Sequence, residues 1–110
     1  MSNEARAGVL QGTLDLMILH TLAALGPQHG YAIAARLEQV SGGALQLNMG
    51  TLYPGLTRLE AKGWISAKWA NTESNRRARF YELTAKGRKQ LEAERAEWLR
   101  MANIMAKVLE

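Results

Sequence analysis

A chain of 110 residues is one domain with at most an added helix or arm, and 47% hydrophobic against 22% charged residues is ordinary globular composition. The absence of cysteine excludes a disulfide framework, thiolate zinc sites and thiol catalysis, and two histidines are too few for an all-protein zinc site. Net charge is +4, and the span 50–80, with Arg58, Lys62, Lys68, Arg76, Arg77 and Arg79 against Glu60 and Glu73, holds the whole surplus, as a surface that meets a polyanion should.

Residues 1–11 show no periodicity and read as a flexible arm. Gly12-Thr13 then opens a helix with Thr13 as its cap. Leu14, Met17, Ile18, Leu22 and Leu25 fall on one face of this helix, and Leu16, Leu19 and Ala23 on another. A helix apolar on two sides has two neighbours, here the domain core and another chain. The run Leu16–Leu25 is far short of the roughly 18 apolar residues of a membrane span and contains His20 and Thr21. The opening Met1–Arg6 carries balanced charge rather than the positive start of a secretory signal, so a cytoplasmic protein is expected.

Gly26-Pro27 ends the first helix, and His29-Gly30 leads into a second, with Ile33, Ala34, Leu37 and Val40 on its buried stripe. His29 stands where it can meet a phosphate. Ser41-Gly42-Gly43 breaks this helix, and the alternation of Leu45-Gln46-Leu47 fits a strand stub. Asn48 caps a third helix, about 49–62, in which Leu52, Leu56 and Leu59 face the core and Lys62-Gly63 marks the end. The period then drops to two: Ile65, Ala67 and Trp69 form a strand, 71–75 is turn chemistry, and Ala78–Leu83 is a second strand. Thr84 caps a last helix to about Leu109, where Leu91, Trp98, Met101, Met105 and Val108 repeat at heptad spacing. Such a seam meets a partner, most simply a second copy of the chain.

Mainly α with a small β-hairpin, in this order, is a winged helix-turn-helix (12–84) followed by a long C-terminal dimerisation helix (85–110). The third helix is then the reading helix in the major groove, and the hairpin, about 71–78, is a wing on adjacent backbone. The side opposite the leucines presents Thr51, Pro54, Gly55, Arg58 and Lys62. Arg58 can grip guanine in a fork, Thr51 and Pro54 can touch thymine methyls, and Tyr53 can offer a hydroxyl to phosphate. Asn75, Arg76 and Arg77 at the hairpin tip suit backbone or minor-groove contact, and Arg79 is a weaker candidate. No phosphate loop, Gly-x-Ser-x-Gly or His-Glu-x-x-His motif is present, and Asp15 and His20 diverge by roughly 140° on a helix, so no catalytic residue, metal site or cofactor is expected.

Gly50-Thr51-Leu52-Tyr53-Pro54, Arg58-Leu59-Glu60, Gly63, Ile65, Arg76-Arg77, Tyr81-Glu82-Leu83-Thr84 and Gly87, with Gly12-Thr13-Leu14 and His29-Gly30-Tyr31, together resemble the PadR family of bacterial transcriptional regulators. The likeness runs from about Gly12 to Trp98 and by length is to the short subfamily with a single C-terminal helix. It implies a homodimeric winged-helix repressor on pseudo-palindromic operator DNA, released by a small hydrophobic or aromatic effector, with the final helix exchanged across the dimer. Trp98 matches a tryptophan that lines an effector pocket in some short members. Two residues depart from the pattern: Ser74-Asn75 replaces wing-tip glycines, and Gly55 stands where alanine is common. The rival reading is a winged-helix protein-interaction module without specific DNA binding.

Overall fold

Four helices and three strands follow one another in the computed structural model, which describes the backbone of residues 3–110 and the side chains of residues 12–110. The elements are α1 (Asn3–Leu25), β1 (Gln28–His29), α2 (Gly30–Val40), α3 (Met49–Ala61), β2 (Ile65–Asn71), β3 (Arg77–Leu83) and α4 (Ala85–Val108). Helix α1 starts ten residues before Thr13, so Thr13 lies inside it, and the expected arm is helical from Asn3 onward. The stretch Asn3–Gln11 has no proline and several strong helix formers, and propensity alone needs no apolar period. Met1 and Ser2 of that arm lie outside the described residues.

The core is an α1–α2–α3 cluster closed by the sheet. Ile18, Leu19, Leu22, Ile33, Leu52, Leu56, Leu59 and Ile65 are fully buried, with Leu14, Leu37, Tyr81 and Leu91 nearly so. Both apolar faces expected of α1 contribute, since Leu19 is as buried as Ile18. Glycine ends α1 at a positive φ of 78°, where its amide caps the Leu22 carbonyl at 3.0 Å.

The sheet has the order β1-β3-β2, all antiparallel, with Ile65 opposite Leu83 and Asn71 opposite Arg77 across the wing. Its third strand is β1, two residues that pair with Phe80 and Tyr81. Leu45-Gln46-Leu47 forms no strand. Alternation there points two leucines at the core, but β1 occupies the sheet position beside β3.

The Thr84 side chain accepts the Gly87 amide at 3.0 Å and its hydroxyl donates to the Gly63 carbonyl at 2.7 Å, fixing the start of α4 beside α3's end. Gly87 is buried there, and a β-carbon on it would lie 1.9 Å from the Trp64 carbonyl oxygen. Leu91 is also buried in the chain's own core, which corrects its place in the expected dimer seam: the first two turns of α4 pack inward. Beyond them Trp98, Leu99, Met101, Ile104, Met105, Val108 and Leu109 are between 41% and 75% exposed.

Candidate nucleic-acid interface

Helix α3 is positioned by its cap and its stripe. Asn48 Oδ1 accepts the Thr51 amide at 2.9 Å, and Leu52, Gly55, Leu56 and Leu59 are buried. Pro54, in the second turn, faces outward. Gly55 faces inward rather than outward as the wheel suggested, and a β-carbon there would meet Ile18 and Leu14 at 3.5 Å, an ordinary contact. Counting Gly55 into the buried stripe turns the outward direction by roughly 20° towards Thr57 and away from Arg58. The outward residues are Gly50, Thr51, Tyr53, Pro54, Thr57, Ala61 and Lys62.

Arg58 is not on that face. Its Nη2 donates to Oδ1 of Asp15, a buried carboxylate on α1, and its Nε is buried without a hydrogen-bond partner among the described residues. Pulling it out would leave the Asp15 charge uncompensated in the interior, at a cost that matches or exceeds what one contact to guanine returns. Glu60 is held in turn by Arg79 through two bonds of 3.2 and 2.9 Å, and the Arg79 side chain stays 42% exposed. The Lys62 ammonium lies 4.5 Å from the centre of the Trp64 ring.

The wing tip closes by a Thr72–Asn75 turn. The Asn75 amide donates to the Thr72 carbonyl at 2.9 Å, the Thr72 amide to the Arg76 carbonyl at 2.7 Å, and the Arg76 amide to Thr72 Oγ1 at 3.2 Å. Asn75 takes a φ of 61°, the left-handed conformation that glycine supplies elsewhere and that asparagine tolerates. Asn75, Arg76 and Arg77 are all exposed, with the Arg77 guanidinium 5.7 Å from the Trp69 ring centre.

Between α3 and the wing runs a groove lined by His29, Tyr31, Tyr53, Thr57, Trp69 and Arg77. Tyr53 lies over Gly30, where a β-carbon would come within 3.1 Å of its hydroxyl oxygen, which accounts for glycine at the start of α2. His29 does not reach outward for a phosphate: its Nδ1 accepts the Ala32 amide at 3.3 Å and its ring meets Phe80 edge-on. Burial pushes the Tyr81 phenol above its ordinary value, with Arg79 opposing, so Tyr81 stays neutral where it lines the groove. Thr57, Tyr31 and Trp69 are additions to the candidate set. A wheel with Gly55 buried finds Thr57. Tyr31 and Trp69 join only through tertiary placement, which no local spacing carries.

Thus Tyr53 and Thr57 of α3, Arg77 of the wing and the exposed aromatics Tyr31 and Trp69 share one groove, while the expected effector residue Trp98 lies on the exposed half of α4. Among the described residues no group of three or more His, Asp or Glu is arranged to hold a metal, and no helix is long and apolar enough to cross a membrane.

Three helices and a sheet with a wing that carries an exposed arginine pair at its tip define a winged-helix DNA-binding regulator. The model of the transcriptional regulator PadR-like family matches residues 18–93, and the chain belongs to that family. Its members are transcriptional regulators, not enzymes. A transcriptional regulator from Clostridium thermocellum superposes with a TM-score of 0.84 at 26% identity, covering 94% of this chain and 99% of that one. A PadR family regulator from Eggerthella lenta gives 0.79 at 28% identity, covering 97% and 90%. A PadR family regulator from Clostridium difficile gives 0.73 at 29% identity, covering 88% and 98%. The chain is also 42% identical over 96 residues to an uncharacterized 37.1 kDa protein in transposon TN4556 of Streptomyces fradiae, which covers 87% of this chain but only a quarter (25%) of that relative.

Proposed function

We propose that this chain is a homodimeric, sequence-specific bacterial repressor acting in the cytoplasm, with α3 in the major groove of a pseudo-palindromic operator and the wing on adjacent backbone. The observation that carries the reading is exposed Arg77, which shares a groove with Tyr53 and Thr57 of α3, with exposed Arg76 next to it in the segment that holds the whole positive surplus. Residues 12–84 form the reading head and 85–110 the dimerisation helix, whose seam is Trp98, Met101, Met105 and Val108. Thr51, Tyr53, Pro54, Thr57, Asn75, Arg76 and Arg77 make the DNA contacts; Lys62, beside Trp64, contributes long-range charge.

Trp98 lies half exposed on α4 and offers a flat apolar platform at the dimer centre for a small hydrophobic or aromatic effector. An effector stacked on Trp98 should quench its fluorescence, and by linkage it should weaken DNA affinity by the factor by which DNA weakens effector binding; quenching at unchanged affinity removes the effector from the mechanism.

The deciding experiment titrates labelled DNA from the gene's upstream region at several salt concentrations. Wild type should prefer it to random duplex by about a thousandfold. Arg76→Ala/Arg77→Ala should bind more weakly, with a log–log salt slope shallower by about 2 per protomer. Weak, equal affinity for every sequence would instead assign the fold to a protein-interaction role.

A further inference from the structure

The reading helix of this chain keeps its long charged side chains at home. Arg58 is held by buried Asp15, Glu60 by Arg79, and Lys62 lies over Trp64. What remains on the outward side is Gly50, Thr51, Pro54, Thr57 and Ala61, with Tyr53 on the flank towards Gly30. None of those five residues can bridge the O6 and N7 of a guanine, the adenine N6 and N7, or accept from cytosine N4 through its side chain in the bidentate or carboxylate manner that these edges call for. They offer small volume, two hydroxyls and a row of methyl and methylene carbons. A helix face of that shape approaches the groove floor closely, and the apolar feature that the major groove displays is the thymine 5-methyl group.

We infer that α3 reads its half-site through thymine methyl groups, packed against Thr51, Pro54 and Thr57, and not through a guanine fork. The inference rests on the DNA-binding reading above and names the base chemistry that such a site selects. Threonine is suited to the task because its γ-methyl can sit against the thymine methyl while its hydroxyl meets a neighbouring base edge or phosphate. Thr57 carries most of the specificity: it shares the groove with Tyr31, Tyr53, Trp69 and Arg77, so wing and helix fix its distance from the bases together. The strength of the Asp15–Arg58 pair is then part of the readout, because it keeps a large cation off the contact face.

The test selects binding duplexes from a random 30-base-pair pool with the full chain, then replaces bases one at a time in the enriched sequence. Thymine-to-uracil replacement removes only the methyl group and should weaken binding about fourfold at each contacted position. The replacement should lose its effect against Thr57→Ser at the position Thr57 contacts, and keep it against Thr57→Val. Replacing guanine by 7-deazaguanine, which removes N7, should change affinity less than twofold within the span under α3. An enriched sequence that is indifferent to uracil but weakened tenfold by 7-deazaguanine would overturn the inference and leave the regulator reading standing. A pool that enriches no sequence would overturn both.

Discussion

Asp15 and Arg58 are 43 residues apart in the chain and meet where α1 crosses α3, the carboxylate buried and the guanidinium side chain 26% exposed. A pair so placed is poor evidence for net stability, since desolvation offsets most of its attraction, but removing one partner strands the other. Asp15→Ala should therefore lower unfolding free energy by about 3 kcal/mol, the low end for buried pairs because Arg58 retains some water. Asp15→Leu/Arg58→Met replaces both by apolar groups of similar volume and should lie within about 1 kcal/mol of wild type. Urea unfolding of both variants checks this. Equal destabilisation of the two would mean that shape, not charge, matters at the crossing. Gly87 is constrained differently: its missing β-carbon makes room for the Trp64 carbonyl, and backbone on both sides cannot yield. Gly87→Ala should cost about 3 kcal/mol or more, seen as a fall in thermal midpoint.

At the scale of elements, α3 and the wing contain two local conflicts with opposite expected responses. Gly55 is a buried helical glycine with ordinary contact distance waiting for a β-carbon, so Gly55→Ala should stabilise by up to about 1 kcal/mol through helix propensity, with added contact to Ile18 and Leu14. Asn75 is left-handed, so Asn75→Ala should destabilise by about 1 kcal/mol and blur the wing tip. Thermal melts measure both. The same elements show how far local sequence reaches. The caps Asn48 and Thr84, the glycine stops and the switch from period 3.6 to period 2 were legible because each depends on a few neighbouring residues. Strand β1 was not, being two residues whose only partner is β3 about fifty positions on. Arg58 pointed the wrong way for the same reason: a wheel drawn on α3 alone has no knowledge of Asp15.

For the whole molecule, α4 poses the sharpest question of partnership. Gly87 and Leu91 seat its first turns on the body of the chain, and the same side of the helix continues through Trp98, Met101, Met105 and Val108, which no element among the described residues buries. A monomer in water rarely leaves so continuous an apolar strip exposed, and a closed pair of identical strips is the simplest cover. Met101→Asp/Met105→Asp places two charges in the middle of that strip, far from the core residues that hold the head together. The double variant should sediment as a single chain and keep the helical circular dichroism of the head. The wild type's thermal midpoint should rise with protein concentration, while that of the variant should not. On DNA with two half-sites the variant should lose about a hundredfold or more in affinity, because the second head no longer binds at the effective concentration set by the first. On a single half-site it should match the wild type within about twofold, since α3 and the wing are untouched. A variant that stays dimeric would move the partner surface to the end of α1, where Leu25 and His20 border a shallow groove with α2.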